Sequence, residues 1–108
     1  SFFRDGEDIP LFKVTPIYPR RAQERGIMGF AIVTFTITET GTVENAKPLE
    51  GACGDPTNPD TVFRPCSIFN SAASRASLKL KYKPKIVDGK AVRVDDVPHK
   101  FTFILEED

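Results

Sequence analysis

Two cysteines and a single histidine are the residues with the most chemistry to offer in this chain of 108 residues. Cys53 and Cys66 enclose the turn-rich stretch GDPTNPDTVFRP, and His99 stands far downstream. A zinc site needs about four ligands, and one distant imidazole beside two thiols falls short. A dithiol redox centre usually takes the form Cys-x-x-Cys at a helix start, which this spacing is not. A structural disulfide fits best. It would staple the loop, stabilise the fold by about 3 kcal/mol in the chain-entropy picture, and require an oxidising compartment such as a periplasm.

His99 has no nucleophile, carboxylate pair or metal cluster around it, so it reads as a surface or edge residue and not as a catalyst. Gly26-x-x-Gly29 is followed by a strand pattern rather than a helix, which excludes a phosphate loop. Neither a metal nor any other cofactor is expected. Lys+Arg and Asp+Glu balance at 15 each, so the whole-chain charge predicts no nucleic-acid affinity. The distribution is uneven: the part from Arg64 to Lys100 is mainly basic, and that from Glu39 to Asp60 is acidic. No apolar run is long enough to span a bilayer, and no signal peptide is visible.

These residues must be held by a small set of elements. SFFRDGED reads as the linker end of a longer protein, with one domain over 9–108. Ile9 to Val14 allows a short extra N-terminal strand, with Pro10 suited to an edge. Pro16 and Pro19 fix φ around Tyr18, and Pro19 suits the start of a short helix, Pro19 to Arg25, that Gly26 closes. Ala31, Val33, Phe35 and Ile37 alternate on one face of a strand. A turn at Gly41 leads into a return strand from Val43 to Leu49, ended by Pro48. Phe69, Ala73, Ala76 and Leu80 form a helical stripe, with Ser67 or Asn70 as N-cap and Pro84 as the stop. A turn at Gly89 precedes a last strand, about Val97 to Leu105, with Phe101, Phe103 and Leu105 on one face. The predicted fold class is α+β: a two-layer sandwich of a three-stranded antiparallel sheet, one main helix on one face and a short N-terminal helix.

The ordered motifs Tyr18-Pro19-x-x-Ala22, Gly29-x-Ala31-x-Val33-x-Phe35-x-Ile37, Gly41-x-Val43, the stripe from Phe69 to Pro84 and the strand through Phe101 and Phe103 resemble the C-terminal domain of TonB. The stretch YKPKIVDGKAV is similar to the TonB2 subgroup. Two departures are Leu80, where the family commonly has Trp, and the long loop between the cysteines. The resemblance implies a non-enzymatic peptide-binding module in the periplasm. Its partner would be the TonB box, a short peptide of outer-membrane transporters for iron-siderophores, haem or cobalamin. The full-length protein would be anchored in the inner membrane by an N-terminal helix and driven by an ExbB/ExbD-type complex. A strand-exchanged homodimer is compatible with an open sheet edge. The rival readings are a TonB-like domain with another cell-envelope role and, less well supported, a thiol-disulfide enzyme using Cys53 and Cys66.

By the same resemblance the incoming peptide adds a strand to the last strand, through Val97, His99, Lys100, Phe101, Thr102, Phe103, Ile104 and Leu105. Tyr18 has two readings: a ring lining the groove with its hydroxyl free to bond, or a half-buried anchor for the helix. Arg21 stands where TonB-like domains place a basic residue against the transporter plug, and Arg20 is its neighbour. At such a rim a cation tunes orientation and association rate more than affinity.

Overall fold

The alternation after Met28 folds as β1, Gly29–Ile37, and becomes the centre of the domain. The computed structural model describes residues 9–106. The expected linker, residues 1–8, lies outside them. A short helix α1, Arg20–Glu24, comes before β1, and β2, Val43–Cys53, returns alongside it. β3, Arg64–Pro65, pairs with the end of β2. The main helix α2, Asn70–Ser77, is followed by a hairpin of β4, Lys85–Val87, and β5, Lys90–Val92. The last strand, β6, is Val94–Phe103. The main sheet has the order β3-β2-β1-β6, and every pairing in it is antiparallel. The predicted three strands are thus β2, β1 and β6, with a two-residue fourth at one edge.

One face of β1 is the floor of the core. Ala31, Val33, Phe35 and Ile37 are all buried, as are Phe69, Ala73 and Ala76 from α2 above them. The alanines let the helix lie close on the sheet. Burying a ring such as Phe69 contributes about 1.5–3 kcal/mol by transfer alone. Phe69 stacks on Phe103 of β6 at 4.3 Å between centroids, which ties the helix to the edge strand. Ala22 fixes α1 to the same core with no exposed surface.

Several boundaries differ from the sequence expectation. β2 does not stop at Pro48 but runs to Cys53. The register slips between Ile32 and Val33, where Pro48 sits, and β3 pairs only with Ala52 and Cys53, so on the outer side no described strand asks Pro48 for an N–H. α2 ends at Ser77, well before Pro84. The Ser77 hydroxyl donates to the Ala73 carbonyl at 2.9 Å, and tight i→i−3 bonds from Leu78, Lys79 and Leu80 then turn the chain. Those turns keep Leu80 buried, so the stripe outlasts the helix. Phe69 is the N-cap of α2, in place of Ser67 or Asn70, and no side chain caps the helix. β6 starts at Val94 and ends at Phe103, earlier at both ends than expected. Asp95 and Asp96 together oppose Thr36, a bulge with Asp96 at φ 54° that turns both Val94 and Val97 inward. A second bulge, at Asn45 with φ 57°, lies in β2 opposite the same part of β1. The extra N-terminal strand reduces to one bridge, Pro10 to Tyr82.

Cys53 and Cys66 are joined, with 5.7 Å between Cα atoms, and no described cysteine is free. The loop they close is ordered from within. Thr57 donates to Asp55 through both its N–H and its hydroxyl, at 2.8 and 2.6 Å, which holds the Asp55 carboxyl below its ordinary range. Phe63 from this loop packs edge-on over Phe30 at 5.2 Å on the outer face of the sheet. Replacing both cysteines by alanine is expected to lower unfolding free energy by about 3 kcal/mol, read by urea denaturation. An unchanged midpoint would show that the loop holds itself without the bridge.

Candidate docking edge

β6 owes its position to the strand order: β1 takes one of its sides, and among the described residues no strand takes the other. Val97, Phe101 and Phe103 turn into the core, and Lys100 and Thr102 turn out. Lys100 lays its ammonium over the Phe30 ring at 4.3 Å. Ile104 and Leu105 follow the strand's end, Ile104 exposed and Leu105 half-buried.

The segment before Tyr18 makes a second wall. Leu11 donates its N–H to the Lys81 carbonyl at 2.8 Å, and Val14 packs against the core. Between this segment and β6 lies a groove of about 720 Å³, lined by Phe12, Val14, Leu80, His99, Phe101 and Ile104 among others. The sequence reading did not include Phe12 or Val14. Their signal was apolar residues between Pro10 and Pro16, visible only once the strand order is known.

His99 is half-buried on the core face, not a surface residue. Its ring lies 4.7 Å from Phe101 and 6.4 Å from Phe35. Burial disfavours the imidazolium and lowers its pKa. The folded chain therefore takes up this proton at lower pH than the unfolded chain does. The resulting stability is full above the ordinary histidine value and is lost as pH falls through it toward the lowered one. The melting temperature is expected to drop between about pH 7.5 and 5.5, and His99→Gln is expected to flatten that drop. An equal slope in the variant would remove His99 from the account.

Tyr18 is engaged. Its hydroxyl donates to the Ile27 carbonyl, and its ring meets Phe69 and Phe103 edge-on at 5.8 and 5.7 Å. Burial raises its pKa. The hydroxyl is thus not free to donate elsewhere, and the ring anchors the entry to α1. It lines a separate trough, on the α2 side, and not the groove along β6. Arg20 and Arg21 are exposed on α1. Among the described residues no group of three metal-ligating side chains gathers, and no helix is long and apolar enough to cross a membrane.

An antiparallel sheet with one helical layer defines a small α+β domain, and among the described residues its edge strand β6 is unpaired on one side and flanked by a groove. The family model for the Gram-negative bacterial TonB protein C-terminal matches residues 14–53. Protein TonB of Pseudomonas aeruginosa is 33% identical over 88 residues, a match covering 82% of this chain. The chain spans only 22% of that protein's length. The solution NMR structure of the Pseudomonas aeruginosa TonB C-terminal domain superposes with a TM-score of 0.65 at 30% identity, over 97% of this chain and 93% of that one. The structure of the TonB2 protein from Vibrio anguillarum gives 0.58 at 33%, over 92% and 82%. This chain belongs to the TonB C-terminal domain family.

Proposed function

We propose that this domain is the periplasmic peptide-docking module of a TonB-type energy transducer. It binds the TonB box of an outer-membrane transporter as an added strand on β6, and the transporter's cargo is an iron-siderophore, haem or cobalamin. The unpaired outer edge of β6 is the observation that carries this reading. The pairing residues are Val97, His99, Lys100, Phe101, Thr102 and Phe103, with Ile104 and Leu105 just beyond the strand. His99 and Phe101 also line the groove beside it, where side chains of the added strand would settle. Arg21, with Arg20, meets acidic groups on the transporter, and Tyr18 holds that corner rigid, which lowers the entropy cost of docking. An inner-membrane anchor and an ExbB/ExbD-type complex belong to the rest of the transducer. The bridged, largely buried Cys53 fits an oxidising periplasm and a structural use of the thiols.

Titration of the ¹⁵N-labelled domain with synthetic TonB-box peptides tests this. Amide shifts are expected over Val97–Phe103. No shift at millimolar peptide would overturn strand addition as the function.

A further inference from the structure

A second concavity lies away from the β6 edge. It is a trough of about 880 Å³ between the 15–20 segment, the start of α1 and the length of α2. That size falls within the roughly 300–1,000 Å³ of sites that take small ligands or peptide side chains. Its floor is apolar, built from Pro16, Tyr18, Ile68 and Ala72. Its rim is cationic: Arg20 at the start of α1, Arg75 in α2 and Lys79 in the turn after it. No residue lining it is acidic.

The three cations have no anionic partner among the described residues. Arg75 donates to the Ser71 hydroxyl at 2.9 Å, and among the described residues no carboxylate makes an ion pair with Arg20, Arg75 or Lys79. Arg93, outside the trough, shows the contrast. It bonds Glu44 at 2.7 Å with Glu39 and Asp95 also near. Like charges gathered around an apolar floor repel one another, and their field favours a ligand of opposite sign. Ile17 and Leu78, both exposed, extend the apolar surface at the trough's margin.

We propose that this trough is a second docking site, for an acidic, extended segment of a partner protein. Its carboxylates face Arg20, Arg75 and Lys79, and an apolar side chain lies over Tyr18 and Ala72. The trough lies apart from the β6 edge and shares only Arg20 with the transporter contact proposed above.

The probe is a synthetic octapeptide of alternating Leu and Glu, added to the ¹⁵N-labelled domain, beside the same peptide with Gln for Glu. Shifts are expected at 16–20 and Ile68–Lys79, with Val97–Phe101 unmoved. The Gln peptide, and the double variant Arg20→Glu with Arg75→Glu, are each expected to bind about tenfold or more weakly. Raised salt weakens the Glu peptide alone. The variant's retained amide dispersion shows that it is folded. Equal affinity for the two peptides, shifts confined to β6, or no shift at millimolar peptide overturns the proposal. So do shifts at these residues that arise only with phosphatidylglycerol vesicles, which would make the trough a lipid contact.

Discussion

Gly41→Ala is expected to lower the stability of the domain by about 3 kcal/mol or more. Two penalties combine. Gly41 sits at φ +83°, where an alanine pays about 1–2 kcal/mol for its Cβ. That Cβ would also stand 2.0 Å from the Tyr82 carbonyl oxygen, a backbone atom that no side-chain rotation can move. The peptide at Tyr82 is itself held by Gly41, whose carbonyl accepts the Tyr82 N–H at 2.8 Å. Moving it would drag the buried Tyr82 ring and the Thr42–Lys81 bridge. Gly26→Ala supplies the comparison, since Gly26 has φ +67° but nothing within 4 Å of a Cβ. That variant should lose only about 1 kcal/mol. Urea denaturation of both proteins separates the penalties, and equal losses would refute the steric one.

Phe69→Ala should cost about 3–5 kcal/mol, the range for deleting a wholly buried ring. Phe69 has no exposed surface, stacks on Phe103 and takes the Tyr18 edge at 5.8 Å. Its ring also occupies the space left by Gly29, where a Cβ would meet Phe69 Cε2 at 2.8 Å. The cavity would therefore open where α1, α2, β1 and β6 converge, and none of the four can move in without leaving another partner. A measured loss under about 2 kcal/mol would mean that this junction collapses onto the gap.

How much of this was legible in the sequence follows from the range of each interaction. The inward set of β1 and the stripe Phe69, Ala73, Ala76 and Leu80 are read from local period, and all are buried. The end of α2 was not legible, because the tight turns after Ser77 carry the stripe onward without the helix. The bulge at Asp96 breaks period two by one residue, which an alternation count reads as a strand boundary, while the one at Asn45 leaves no mark on the pattern. Of the docking edge, the strand itself could be read, but its being unpaired depends on strand order and came from family resemblance. The groove needs residues 10–16 beside β6, a contact across most of the chain. The Tyr18 hydrogen bond to Ile27 was equally hidden, since nothing in a tyrosine's neighbours in sequence says which carbonyl it will find.

An open edge carries a hazard as well as a use, since whatever recruits a partner strand can recruit a sister molecule. The kink at Asp95 and Asp96 acts as a ruler on β6. Above it, Val97–Phe103 offers a straight template of about 23 Å at roughly 3.3 Å per residue. Below it, the backbone swings aside and two exposed carboxylates stand in the way of further pairing. Pro98 within that stretch has no N–H to offer, and a ribbon growing edge to edge meets the bend and the charges within one molecule's width. The irregularity that seats Val94 and Val97 in the core thereby ends the regular stretch of this edge at Val97.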